Sequence, residues 1–164
     1  MRHEIGALDL LTLLSALGCG LIAGFFFAFS VCVMQALGKI EAPQGIAAMQ
    51  SINVVVINPW FMSAFFGTAA LCLAAVIAAA TRWDDARAVY WLAGGAIYLG
   101  GTIVVTMMFN VPRNNLLAAL DPSSPEAAAY WRSYLTTWTQ WNHVRTVAPL
   151  LASLLFICAF RLRA

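Results

Sequence analysis

Four long apolar stretches, separated by short polar breaks, set the organisation of the chain. They run over about 8–37, 53–80, 88–109 and 138–160, each long enough as an α-helix to cross roughly 30 Å of hydrocarbon with some tilt. Between the first two, Pro43 and Gly45 break the helix, and residues 38–50 form a short amphipathic connection. Gln50, Asn53 and Asn58 are the polar positions leading into the second stretch, where Pro59 either kinks the helix or restarts it. The amides there either satisfy backbone groups freed by the proline or face a ligand. Residues 81–87 are charged and few, which predicts a tight hairpin joining antiparallel neighbours. Ahead of the fourth stretch, Ser123 or Ser124 can cap a helix with Pro125 and Glu126 in its first turn. The expected fold is all-α: a four-transmembrane-helix bundle with a short amphipathic connection and an extended aromatic-rich fourth helix. One integral membrane domain covers 1–164.

Small side chains recur along two of the predicted spans. Ala16, Gly20, Gly24 and Ala28 form a strip at four-residue spacing, and Gly94, Gly95, Gly100 and Gly101 crowd the third span. Such strips let helices approach closely in lipid, within the bundle or between two copies of the chain.

The fourth helix carries the most unusual pattern. At about 100° per residue, Trp131, Tyr134, Trp138, Trp141, Asn142, Arg145 and Pro149 fall within an arc of roughly 120°. An arginine at the edge of an apolar segment is costly unless paired, hydrated or working. Tryptophan, tyrosine and arginine also gather at membrane interfaces. An interfacial belt spreads around a helix, however, whereas this stripe keeps to one face and includes an amide. A ligand pocket is therefore the favoured reading.

Composition narrows the class. At 62% hydrophobic, 10% charged and a mean hydropathy of +0.82, the chain falls outside ordinary soluble domains and into small integral membrane proteins. A net charge of +2 with no basic run excludes a nucleic-acid footprint. Cys19, Cys32, Cys72 and Cys158 stand singly in apolar segments and are expected to be small buried core residues. The first apolar run continues to about Leu37, too long for a signal peptide, and is expected to be a retained helix despite Leu17-Gly18-Cys19. Arg2, Arg82, Arg87, Arg161 and Arg163 on one side, against Lys39, Arg113, Arg132 and Arg145 on the other, favour both termini in the cytoplasm.

Four antiparallel spans put the first and third connections on the same side. Gln50, Asn53 and Asn58 then share a level with Asn110, Arg113, Asn114, Asn142 and Arg145, in a pocket walled by tryptophan and tyrosine. This set holds no carboxylate pair, no Ser/His/Asp arrangement, no thiolate with a base and no phosphate loop, so familiar hydrolysis is excluded. Arginine and amides instead stabilise an oxyanion, and aromatic walls suit a flat or quinone-like ligand. His143 points about 100° away from Asn142 on a regular helix. It is either an interfacial histidine or, if the helix is distorted, a general base of suitable pKa. No metal site is expected, since one histidine falls short of the three or four ligands such a site needs; haem or a metal stays a lesser alternative.

The segments GFFFAFSVCVMQAL, AAMQSINVVVINPWF, NVPRNNLLA and YWRSYLTTWTQWNHVRTVA together resemble the anthrone oxygenase-like (DUF1772) family of membrane proteins over nearly the whole chain. The resemblance implies a four-helix membrane protein that oxidises an anthrone to an anthraquinone with O2 as co-substrate, without flavin or haem. It implies functional roles for Asn110, Asn114, Trp138, Trp141, Asn142, His143 and Arg145. Arg113 stands where the family pattern has an apolar residue, often leucine.

Both lines lead to one expected mechanism. Arg145, Asn142 and Asn110 stabilise the enolate of an anthrone-type phenol, His143 or water takes the proton, and the anion reacts with O2. Trp138, Trp141, Asn114, Arg113, Tyr134, Asn53 and Asn58 are the expected substrate-binding positions. The competing class is a non-enzymatic bundle that binds a flat aromatic or assembles through the Ala16/Gly20/Gly24/Ala28 strip.

Overall fold

The computed structural model describes residues 6–162, and all regular structure among them is helical. Four helices are long and apolar enough to cross a membrane: α1 (Ala7–Leu37), α3 (Pro59–Thr81), α4 (Ala88–Ala118) and α5 (Pro125–Arg161). A short helix, α2 (Ala42–Val55), lies between α1 and α3. The chain is an integral membrane protein with the expected four-helix bundle. Arg2 and Arg163 lie outside the described residues.

The helix ends follow local chemistry. Asn58 caps α3, its Oδ1 accepting the Phe61 N–H at 3.0 Å, with Pro59 as the first helical residue. The proline thus restarts the helix, and Asn53 belongs to α2 rather than to the second span. Ser124 caps α5 through the Ala127 N–H at 3.1 Å, while Ser123 closes an Asp121 turn. The third span runs past residue 109 to Ala118, straight through Pro112. A π-helical turn over Thr106–Asn110 accommodates the missing proline N–H, with the Val111 N–H reaching back to the Thr106 carbonyl. A second π turn at Phe29–Val33 widens α1, and a third at Leu99–Val104 widens α4.

Helix α5 is the central post, packed along α1 and α4. Close contact rests on the small residues. The Ala16 carbonyl accepts the Ser153 hydroxyl at 2.8 Å, Gly20 stands beside Ser153, and Gly94 lies against the Phe156 ring. The strip begun by Ala16 and Gly20 is therefore used inside the bundle, whereas Gly24 and Ala28 are exposed. At Gly95 the α3 and α4 backbones nearly touch: a Cβ there would stand 2.6 Å from the Cys72 carbonyl. Cys19 and Cys72 meet in this core, but Cys32 and Cys158 face outward. The expectation that all four cysteines are buried fails for those two, because a thiol is tolerated on a face that meets acyl chains.

The hairpin end is closed by charge. Arg87 binds Asp9 at 2.8 Å and Asp85 at 2.7 Å, and its guanidinium lies over the Trp91 ring, whose Nε1 donates to Thr12. The Arg87 hydrogen bonds hold the Asp85 carboxyl below the usual carboxylate range. At the opposite end α2 closes the bundle, and Gln50 Nε2 donates to the Leu117 and Leu120 carbonyls at 2.9 Å each.

Replacing Gly95 by alanine should lower stability in detergent micelles by about 1–3 kcal/mol through overpacking. Gly100→Ala, with open space around it, should leave the midpoint unchanged or raised. The depressed Asp85 carboxyl contributes stability that is present above its unfolded pKa and lost as pH falls through its folded one. Thermal melts should show an acid-side loss of stability that is smaller in Arg87→Met.

Candidate functional site

The stripe on α5 is the buried face of that helix. Trp131, Tyr134, Trp138, Asn142, Arg145 and Pro149 all turn inward. Arg145 is only 4% exposed. Its Nη2 donates to Asn142 Oδ1 at 2.9 Å and its Nη1 to Thr106 Oγ1 at 3.4 Å, while Nε has no partner. The guanidinium sits 4.3 Å from the Phe26 ring centroid and 4.9 Å from that of Trp138. Among the described residues no carboxylate pairs with it; both ion pairs there belong to Arg87. A buried guanidinium without an acid is expensive, and two aromatic faces and a neutral amide offset only part of that cost.

Asn142 holds the arginine in place. Its Nδ2 donates to the Phe26 carbonyl at 2.7 Å and to Ser30 Oγ at 2.8 Å, leaving Oδ1 to face Arg145. Phe26 lies just before the π turn of α1 and Ser30 lies inside it, so the widened turn presents both acceptors to α5. Ser30 also meets Thr146 Oγ1 at 3.1 Å and His143 Nδ1 at 3.0 Å.

In front of Arg145 is a cavity of about 240 Å³, roofed by Met49, Ile52, Asn53 and Val56 of α2 and its end. Phe25, Phe26, Phe29, Phe61, Phe65 and Trp138 make its aromatic walls, and Thr106, Asn114 and Arg145 supply polarity. Asn114 Oδ1 already accepts Tyr134 Oη–H and Trp138 Nε1–H, each at 2.8 Å. Its remaining polar group is therefore the amide nitrogen. Asn53 Nδ2 is buried without a partner. The buried unpartnered groups on lining residues are thus two N–H donors, Arg145 Nε and Asn53 Nδ2, which with the Asn114 amide nitrogen make a set that suits an oxyanion or carbonyl oxygen.

A family model for anthrone oxygenase matches residues 59–155, more than half of the chain. The chain belongs to the anthrone oxygenase family. No curated protein and no solved structure matches it. The family match covers α3, α4 and the part of α5 bearing Trp138, Asn142 and Arg145. Helices α1 and α2, which bring Phe25, Phe26, Phe29 and Asn53 to the cavity, lie outside it.

Of the residues singled out from the sequence, Arg145, Trp138, Asn114 and Asn53 line the cavity. Three stand one step behind it. Tyr134 holds Asn114, Asn142 holds Arg145, and buried Asn110 donates to the Trp138 carbonyl at 3.2 Å while its Oδ1 is unpartnered. Four stand elsewhere. Asn58 is the α3 cap. Trp141 stacks on Phe109 with ring centroids 3.6 Å apart. Arg113 binds the Phe109 carbonyl at 2.6 Å and Thr137 at 3.3 Å. His143 is exposed, reaching the site only through Ser30. No group of three or more metal-ligating side chains gathers among the described residues.

Sequence reasoning left the phenylalanines and Thr106 without a role. Phe61 and Phe65, at helical spacing four residues apart beyond the Asn58-Pro59 break, were the available signal.

Asn58→Ala should lower stability by about 1 kcal/mol, as loss of a cap does, and leave ligand affinity intact. Asn142→Leu strands the Arg145 guanidinium and Ser30, and should lower stability by about 2–4 kcal/mol. Thermal unfolding of the micelle-embedded protein checks both.

Proposed function

We propose that the protein oxidises a phenolic, anthrone-type aromatic with O2 to the quinone, without an organic cofactor. The observation that carries this reading is Arg145, a buried cation with no acid partner among the described residues, at an aromatic cavity in a member of the anthrone oxygenase family. A negative charge that develops on the ligand oxygen is the missing partner.

In this scheme the anthrone binds flat between phenylalanine faces and Trp138, its oxygen toward Arg145, Asn114 and Asn53. Those donors favour the enolate over the keto form, which lowers the cost of losing a methylene proton. Water takes that proton, because His143 is outside the cavity and no carboxylate lines it among the described residues. The electron-rich carbanion passes one electron to O2, and the resulting radical pair combines at the methylene carbon to give a hydroperoxide. Loss of water leaves the new carbonyl: one oxygen atom enters the quinone and the other departs as H2O. The protein's own part is to bind, orient, stabilise the anion and keep bulk water away. On the same reading the protein lies in a bacterial inner membrane with both termini in the cytoplasm. A purely binding bundle would use the same donors without consuming O2.

Oxygen uptake by proteoliposomes supplied with emodin anthrone, against a heat-killed control, tests the reading. Arg145→Met should lower the enzyme-dependent rate by about 100-fold or more, the usual cost of removing an oxyanion donor. His143→Gln should keep most of it. A rate that Arg145→Met leaves unchanged contradicts the assignment.

A further inference from the structure

The cavity opens sideways. Three of its lining residues are also well exposed on the outer surface: Ile57 (71%), Phe66 (53%) and Met107 (59%). They come from the α2–α3 link, α3 and α4, and with Met62 and Val111 they frame one gap. The gap follows from how α3 and α4 diverge. The two helices touch at Gly95 and Cys72, but α3 packs only on the first part of α4 and parts from it beyond Val104. Phe66 stands about two turns, or about 10 Å, inside the first residue of α3, so this side of the opening lies within the hydrocarbon layer. Above it, α2 covers the cavity on the aqueous side, with Ile46 and Met49 fully buried and Gln50 fastened to the end of α4.

We propose that this gap is a lateral portal through which the ligand passes directly between the acyl chains and the cavity. The proposal rests on the functional reading above and narrows its substrate class. All five framing side chains are apolar, so a sugar or charged group would cross them stripped of its hydrogen bonds. The ligand is therefore a lipophilic aromatic without a glycosyl or ionised substituent, dissolved in the bilayer before it binds. Met62 and Met107, unbranched and flexible, suit a gap that must let a rigid plate through and close behind it. The reaction that supplies this substrate must release an unconjugated aromatic, and any glycosylation must follow the oxidation.

The test uses Met107→Cys in a background with exposed Cys32 and Cys158 replaced by serine, reconstituted in vesicles. The introduced thiol is capped with a bulky aromatic methanethiosulfonate and later freed with dithiothreitol. Val89→Cys, exposed at the other end of α4 and capped in the same way, serves as the control. Stopped-flow mixing with vesicles preloaded with emodin reads association and release. Capping the Met107→Cys variant should slow both at least tenfold with a smaller change in affinity, and dithiothreitol should restore them. Capping the Val89→Cys variant should change neither. Unchanged rates in capped Met107→Cys, or a loss of affinity without slowing, overturn the portal while leaving the Arg145 site standing. Absence of emodin binding to the uncapped protein overturns the functional reading and the portal with it.

Discussion

A guanidinium buried in a membrane bundle, with no carboxylate paired to it among the described residues, is the constraint around which the rest of this structure is arranged. Arg145 carries its charge among two aromatic faces, one amide oxygen and one hydroxyl. Each neighbour is itself held from behind. Asn142 is fixed by the Phe26 carbonyl and Ser30, and Trp138 is fixed by Asn114 at its indole N–H and by Asn110 at its carbonyl. The π turns of α1 and α4 bring Ser30, Thr106 and Asn110 to α5 at the required angle. A regular helix would aim these side chains differently, so the helical irregularities belong to the site rather than to the scaffold.

Arg87 and Arg145 show the contrast. Arg87 meets two aspartates and closes the hairpin end, where charge neutralisation holds three segments together. Arg145 meets none among the described residues and borders the cavity. The two ends of the bundle differ in the same way. Around Gly94, Gly95 and Gly101, small residues let backbones close up and leave no room. Toward Phe66 and Met107 the helices part, and apolar side chains line the gap instead of filling it. Rigidity at one end gives the other a fixed frame.

Much of this was legible in the chain. The apolar runs gave four spans, and the periodicity of the fourth helix correctly placed Trp138, Asn142 and Arg145 on one buried face, because a 3.6-residue repeat survives in any regular helix. The antiparallel topology also put Asn53 and Asn114 at the depth of Arg145. What the pattern could not carry was the destination of each polar group. Asn58 and Gln50 serve helix ends and Arg113 takes the Phe109 carbonyl, demands set by backbone geometry at Pro59, Ala118 and the π turn over Thr106–Asn110. Phe25, Phe26 and Phe29 had no role that the apolar pattern of α1 could assign. Their part in the cavity depends on how α1 turns past α5, which no local spacing encodes.

In the proposed reaction Arg145 is the partner of a negative oxygen inside the cavity. The most direct measurement is the visible absorption of bound emodin, whose phenolate absorbs at longer wavelength than the phenol, across a pH series in wild type and Arg145→Met. With Arg145 facing the ligand oxygen, the bound hydroxyl ionises at lower pH in the wild type than in the variant, by at least one pH unit, equal to about 1.4 kcal/mol of preferential stabilisation. Ionisation at the same pH in both proteins would contradict it.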